Sequence, residues 1–159
     1  MTFDASRIHQ GLFQGSRPPT GARLQREGFR LLVLCAMEHQ PPASAFPGVT
    51  VIHAPNDDDF DRMPTREELQ LALGAARQAA LVLASGGLVL STCFAGRNRS
   101  GLVSALSLHL WLGVSGNKAI EMIQARRQRA LRNPGFLTVL GRLSAQEKLC
   151  PSNESLTGT

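Results

Sequence analysis

The pattern of apolar and polar positions along the chain predicts strands that alternate with helices. Apolar runs typical of buried strands occupy residues 29–37, 49–53 and 88–91. Segments with apolar residues at helical spacing occupy residues 65–84, 100–112, 117–130 and 134–148. A strand or hairpin arm at 8–15 and a short helix at 21–27 precede them. Thr65 is a suitable N-cap for the first long helix.

This alternation indicates an α/β fold, with a central, mainly parallel sheet covered by helices on both faces. The 159 residues fit one domain and suffice for a single core. We expect residues 1–149 to form that domain and residues 150–159 to be a polar, flexible C-terminal tail.

The most specific motif is the run Thr-Cys-Phe-Ala-Gly-Arg-Asn-Arg-Ser-Gly at 92–101, between a predicted strand and a predicted helix. A loop entering a helix directs several backbone N–H groups at one point, where an anion binds. Gly96 lets the backbone curl where a Cβ would collide, and Arg99 offers a planar fork for two oxygens. Such positive surroundings favour the thiolate of Cys93, and Ser100 can donate a hydrogen bond to the sulfur. The run therefore predicts sulfur attack on a bound tetrahedral oxyanion, against the alternative of a buried cysteine that ends a core strand.

The rest of the loop is expected to surround the bound anion. Its predicted substrate-binding residues are Phe94, Ala95, Gly96, Arg97 and Asn98. Arg97 adds a second cation, which would favour doubly phosphorylated or non-protein substrates.

Expelling an alkoxide or phenoxide also needs a proton donor on a separate loop. Four of the five aspartates fall between residues 57 and 61, after a predicted strand and before a predicted helix. We expect one of Asp57, Asp58 and Asp59 to be this acid. The alternative is an acidic turn that caps the helix at Thr65.

The run from Cys93 to Ser100 resembles the Cys-x5-Arg-Ser/Thr signature of the cysteine-based protein tyrosine phosphatase superfamily. Its Ala-Gly-x-x-Arg-Ser portion is most similar to the small dual-specificity branch. Two weaker matches are Gly-Leu-Phe-Gln-Gly-Ser at 11–16 and Asn-Pro-Gly-Phe at 133–136. A structural role behind the loop is expected for 133–136, and the alternative is that Asn133 supports the loop. One departure is Thr92, which stands where the family usually has histidine.

The resemblance implies a dual-specificity phosphatase-like fold and a phosphatase that hydrolyses phosphotyrosine, phosphoserine or phosphothreonine in proteins through a phosphocysteine intermediate, without a cofactor. The family's acid commonly lies three residues after a proline, which selects Asp58. Two alternatives stay open. One is a catalytically silent phosphate-binding module, which Thr92 alone favours. The other is a phosphatase for non-protein substrates such as inositol phosphates, phosphoinositides or RNA 5′ phosphates.

Charge and composition limit the classes of binding partner. The net charge is +5 and the sequence pI about 10.1, so an anionic partner is expected: a phosphorylated protein or a small phosphorylated molecule. Four arginines near the end of a predicted helix form either a solvated helix end or a patch that attracts phosphorylated substrates. They are Arg126, Arg127, Arg129 and Arg132. Tyrosine is absent and Trp111 is alone, which argues against nucleic acid as the main partner.

The remaining features point to a cytoplasmic protein. No apolar run approaches the ~20 residues that span a bilayer, and the four histidines lack metal-ligand spacing, so no metal site is expected. Three scattered cysteines do not form a disulfide framework, and a thiolate nucleophile needs a reducing compartment. Cys35 is expected to be a small buried hydrophobe. The alternative is that it forms a reversible disulfide with an oxidised Cys93.

Overall fold

A five-stranded sheet in the order β1-β2-β5-β3-β4 lies at the centre of the molecule, in a computed structural model that describes residues 2–149. The strands are β1 Ala5–His9, β2 Leu12–Gly15, β3 Phe29–Ala36, β4 Thr50–Asn56 and β5 Leu88–Thr92. β1 and β2 form an antiparallel hairpin, whereas β2–β5, β5–β3 and β3–β4 are parallel pairs. The predicted mainly parallel sheet is therefore confirmed.

Helices cover both faces, as predicted, but unequally. They are α1 Arg23–Arg26, α2 Arg66–Ala84, α3 Arg99–Leu112, α4 Gly116–Arg126 and α5 Pro134–Gly141, with a 3₁₀ turn at Ala43–Ala45. Side chains such as Val33 and Val89 pack on one face against α2 to α5. On the other face, Leu32 and Leu90 pack against Leu24 of α1 and against Phe46. No helix within residues 2–149 is both long and apolar enough to cross a membrane.

The predicted start of α2 is confirmed. Thr65 accepts a hydrogen bond from the backbone N–H of Glu68, while the Glu68 carboxylate accepts one from the N–H of Thr65. This reciprocal capping box satisfies two N–H groups that the first helical turn leaves without partners.

Four predicted boundaries are wrong. The single arm predicted at 8–15 is two strands, Ala5–His9 and Leu12–Gly15, because the chain turns at Gly11, whose φ is +84°. Helix α4 ends at Arg126 rather than residue 130, because the chain turns there toward the loop after β5. Helix α5 ends at Gly141 rather than near residue 148; the backbone of Gln146 and Leu149 instead pairs with the C-terminal end of α3. Strand β4 continues to Asn56 instead of ending at residue 53, which an edge strand tolerates although Pro55 lacks an N–H. The predicted tail at 150–159 lies outside the described residues.

Candidate active site

The Cys93 loop connects the carboxyl end of β5 to the N-terminus of α3. Because β5 lies between β2 and β3, the loop leaves the sheet at an interior strand, where open α/β sheets bind ligands. The N–H of Cys93 donates to the carbonyl of Gly15 at 3.2 Å, which extends the pairing of β5 with β2. Cys93 is only 5% exposed and lies at the floor of the loop.

The predicted contact between Ser100 and the sulfur is present. Ser100 is completely buried in the first turn of α3, and its Oγ lies 3.2 Å from the Cys93 Sγ. Its carbonyl accepts a hydrogen bond from the Ser91 hydroxyl at 3.0 Å. The hydroxyl of Ser100 is therefore held where it can donate to a thiolate.

The loop leaves its backbone donors free. The N–H groups of residues 94–98 have no hydrogen-bond acceptor within residues 2–149. Helices α2, α4 and α5 each have a capping side chain, but α3 has none. An uncapped N-terminus of a 14-residue helix favours a bound anion through its free N–H groups and its dipole.

The loop carbonyls are held on the opposite side by residues distant in sequence. Arg127 donates from Nε to the carbonyl of Gly96 at 2.5 Å and from Nη2 to that of Ala95 at 3.0 Å. The buried amide of Gln14 donates to the carbonyls of Gly96 and Arg97 at 3.0 and 3.3 Å. Because the carbonyls of residues 95–97 are bonded to these side chains, they do not face a bound anion, and the loop is preorganised to bind one.

Gly96 is required by this arrangement. Its φ is +68°, in the left-handed region that glycine adopts without strain. A Cβ at this position would also collide with the backbone of Gly15 and with the guanidinium of Arg127. The expectation that the loop curls where a side chain cannot fit is confirmed.

Arg99 is oriented by Glu38, which the sequence analysis missed. Its Nη1 and Nη2 donate to the two carboxylate oxygens of Glu38 at 2.5 and 2.7 Å, and Nη1 also donates to the carbonyl of Asn56. The buried Nε has no partner within residues 2–149. Because the end of the guanidinium is fixed, the edge that carries Nε stays available for a phosphate oxygen. Hydrogen bonds from Arg99 lower the pKa of Glu38 to about 2.

Of the three candidate acids, Asp58 is the one that contacts the loop. Its Oδ2 accepts a hydrogen bond from the amide of Asn98 at 3.0 Å, and its Oδ1 accepts one from the amide of Asn133 at 2.8 Å. Asp57 and Asp59 instead lie 3.5 and 3.7 Å from the guanidinium of Arg62.

Backbone contacts fix the orientation of both amides. The side-chain oxygen of Asn98 accepts from the N–H groups of Arg132 and Asn133 at 2.7 and 3.0 Å. The side-chain oxygen of Asn133 caps α5 by accepting from the N–H groups of Gly135 and Phe136. Each amide nitrogen therefore faces Asp58 and can only donate to it.

Two loop side chains point outward. Phe94 is 54% exposed, and the guanidinium of Arg17 lies 4.6 Å from the centre of its ring. Arg97 is exposed beside Arg127 and Arg129. The interpretation of the arginine cluster as a solvated helix end is thus wrong for Arg127, whose side chain is only 13% exposed.

Thr92 and Cys35 lie beneath the loop. Thr92 stands where the family usually has histidine. Its hydroxyl is buried and donates to the carbonyl of Val33 in β3 at 2.9 Å. Cys35 is buried, and its Sγ lies 3.9 Å from the Ser91 Oγ. Burial, together with the nearby Cys93, raises the pKa of the Cys35 thiol far above its usual range. Burial agrees with the small-hydrophobe interpretation, and the disulfide stays a prediction.

A cysteine at the floor of an anion-binding loop, with an arginine and a separate carboxylic acid beside it, is typical of a cysteine-dependent phosphatase. No family model matches the chain. Human dual specificity phosphatase 28 is 35% identical over 138 residues, which cover 84% of this chain and 74% of that protein. Dual specificity protein phosphatase 1B of Arabidopsis thaliana is 30% identical over 139 residues, which cover 86% and 80%.

The structure agrees with these relatives. The crystal structure of human DUSP28 matches with a TM-score of 0.72 and 30% identity, covering 88% of this chain and 92% of that one. The chain belongs to the dual specificity phosphatases, and it is a phosphatase of the protein-tyrosine/dual-specificity type with phosphorylated substrates.

Proposed function

We propose that the enzyme works in two steps through a phosphocysteine intermediate. The Cys93 thiolate attacks phosphorus, and the bond from phosphorus to the leaving oxygen breaks as the bond from sulfur to phosphorus forms. Asp58, in its acid form, gives its proton to the leaving oxygen. The resulting carboxylate then takes a proton from water, which attacks phosphorus and releases the thiolate. Ser100 stabilises that thiolate with a hydrogen bond.

The observation that carries this proposal is the set of free donors around Cys93. The N–H groups of residues 94–98 and the Nε of Arg99 have no partner within residues 2–149, and they belong to the loop and first helical turn that directly follow the nearly buried thiol of Cys93. An anion with three equatorial oxygens would satisfy them. A donor placed where charge develops is worth about 10²–10³ in rate.

Phosphoproteins are the proposed substrates. Phe94 offers an exposed ring directly after Cys93, against which an apolar or aromatic side chain of a polypeptide can pack. The non-protein alternatives are inositol phosphates, phosphoinositides and RNA 5′ phosphates, which Arg97 would favour. We further propose that residues 1–149 act as one catalytic unit, without a metal, in the cytoplasm, where thiols stay reduced.

The second candidate is a silent phosphate-binding module. Thr92 favours it, because the hydroxyl of Thr92 bonds to Val33 and supplies no imidazole next to the nucleophile.

Hydrolysis of para-nitrophenyl phosphate between pH 5 and 8, with EDTA present, separates the two candidates. We expect turnover by the wild type, none by Cys93→Ser, and slower turnover by Asp58→Asn. A wild-type protein that binds vanadate without hydrolysing the ester would contradict the two-step mechanism and support the binding module. Loss of turnover on adding EDTA would contradict the metal-independent mechanism.

A further inference from the structure

The loop that carries Asp58 is held in place by side chains. It spans residues 57–65, between the end of β4 and the start of α2. Within residues 2–149, the segment 57–64 forms no hydrogen bond between two backbone groups. Asn98 and Asn133 hold the Asp58 carboxylate at the Cys93 loop, but neither contacts the segments on both sides of it. The position of the acid therefore depends on whatever fixes those two segments.

The carboxylate of Glu68, in the first turn of α2, bonds to the loop on both sides of Asp58. Its Oε2 accepts a hydrogen bond from the N–H of Asp57 at 2.7 Å. Its two oxygens accept from Nη1 and Nη2 of Arg62 at 2.7 and 3.3 Å. Its Oε1 also accepts from the N–H of Thr65 at 2.9 Å. One carboxylate thus joins the residue before the acid, the residue four positions after it and the cap of α2.

Glu68 is ionised between pH 5 and pH 8. Its side chain is only 13% exposed. Burial raises its pKa, but the hydrogen bonds from Arg62 and from the N–H groups of Asp57 and Thr65 outweigh burial and lower the pKa to about 2. An ionised carboxylate accepts hydrogen bonds at both oxygens, whereas a glutamine amide accepts at one side and donates at the other. Only the charged side chain can therefore accept from all of these donors at once.

We propose that Glu68 is a positioning residue for general acid catalysis, which closes residues 57–62 into a fixed loop and so keeps the Asp58 carboxyl group at the Cys93 site. The proposal rests on the proposed function, because it takes Asp58 as the acid. A capping box requires only the bond between Glu68 and the N–H of Thr65. The bonds to Asp57 and Arg62 have no part in capping, and they fix the loop from which the acid must reach the leaving oxygen.

The test is Glu68→Gln, which keeps the size of the side chain and leaves acceptors on one side of it. The measured quantity is kcat/KM on phenyl phosphate and on para-nitrophenyl phosphate, because phenolate is the poorer leaving group and depends more on the acid. Glu67→Gln is the matched control, since it removes the same charge from the same helical turn at an exposed position. Thr65→Ala removes the capping hydroxyl but keeps the N–H that bonds to Glu68, and it controls for lost helix stability.

We expect Glu68→Gln to lower kcat/KM about tenfold on phenyl phosphate and about twofold on para-nitrophenyl phosphate. General acid catalysis is worth about 10²–10⁴ in rate, and the loss stays below that range because two amides still hold Asp58. Glu67→Gln and Thr65→Ala should keep both values. In an Asp58→Asn background, Glu68→Gln should cost little more, because the acid that it positions is gone.

Arg62→Gln tests the same contact from the loop, outside the helix. Arg62 is 36% exposed, so its replacement leaves α2 and the core intact. The bond from Asp57 to Glu68 remains, and we expect a loss of about threefold on phenyl phosphate with little change on para-nitrophenyl phosphate. Both variants should bind vanadate as the wild type does, because Glu68 and Arg62 do not contact the Cys93 loop.

Three results would overturn the proposal while leaving the phosphatase mechanism intact. They are an equal loss on both esters in Glu68→Gln, the same loss in Glu67→Gln, and additive effects of Glu68→Gln with Asp58→Asn. If Glu68→Gln does not fold, Arg62→Gln decides, and the absence of a selective loss on phenyl phosphate in that variant overturns the proposal. A wild type that hydrolyses neither ester would refute the proposed function itself, and the positioning role with it.

Discussion

Asn133 makes the role of Asp58 testable without altering the acid itself. In Asn133→Ser, the serine oxygen can still cap α5, because serine and asparagine are equivalent N-caps. The amide that donates to Asp58 at 2.8 Å and to the carbonyl of Asp59 at 3.2 Å is lost. Asp58 then keeps only its bond from Asn98, so the carboxyl group is free to leave the loop.

The expected magnitudes follow from those contacts. A hydrogen bond to a charged group contributes about 1.5–3 kcal/mol and a neutral one about 1 kcal/mol. Asn133 is completely buried, so we expect the free energy of unfolding to fall by about 2.5–4 kcal/mol when both bonds are lost. General acid catalysis is worth about 10²–10⁴ in rate. Because one of two tethers remains, we expect a smaller loss of about tenfold.

The assay is the dependence of kcat/KM on the leaving group. Nitrophenolate leaves readily, whereas phenolate needs protonation. Asn133→Ser should therefore lower kcat/KM more on phenyl phosphate than on para-nitrophenyl phosphate. Asp58→Asn should show the same pattern more strongly, and adding Asn133→Ser to it should cost little more. Ser115→Ala removes the cap of α4 at the end remote from the site and should cost stability without changing either rate. An equal loss of Asn133→Ser on both substrates, or additive effects with Asp58→Asn, would refute the idea that Asn133 acts through Asp58.

Two further predictions concern the loop and its arginine. Gly96→Ala should abolish vanadate binding and lower kcat/KM at least about a hundredfold, because a Cβ at φ +68° collides with Gly15. The control Gly74→Ala places its Cβ in open space on α2 and should keep both vanadate binding and kcat/KM. Vanadate binding retained by Gly96→Ala would contradict this account. Glu38 has its pKa lowered from 4.5 to about 2 by hydrogen bonds from Arg99, so the stability it contributes is present above about pH 4.5 and is lost as the pH falls toward 2. Because the Glu38 side chain is 43% exposed, screening reduces this contribution to about 1 kcal/mol. Between pH 5 and pH 2 the free energy of unfolding should therefore fall by about 1 kcal/mol more in the wild type than in Glu38→Gln. An equal fall in both proteins would count against the ion pair.

The features that the sequence predicts well are local in the chain. The Cys93 loop lies within ten residues, between a strand and a helix whose patterns are clear, and its chemistry depends on residue types at fixed spacing. The capping box of Thr65 and Glu68 spans four residues and forms as expected. The parallel sheet follows from the alternation of strands and helices, because parallel neighbours need a crossover connection.

The partners that the sequence analysis missed are distant in the chain. Glu38 is 61 residues from Arg99, and Gln14 is 82 residues from Gly96. No spacing rule connects such pairs, because the pairing of β3 and β2 with β5 decides which residues meet. One signal was present: Glu38 is the only acidic residue between 28 and 56, just after a buried strand.

The segment where periodicity fails is the one that assembles the site. Apolar spacing predicts that α4 continues to residue 130, yet the helix ends at Arg126, and Leu131 adopts a φ of +56° that is uncommon outside glycine. Residues 127–133 then contact both the loop and the acid: Arg127 holds two loop carbonyls, the N–H of Leu131 donates to a third, and Asn133 holds Asp58. A longer α4 would keep its own backbone bonds and leave the loop and the acid unconnected. The helical propensity of this segment does not decide its structure, because the site uses backbone N–H groups that a continuing helix would bond internally.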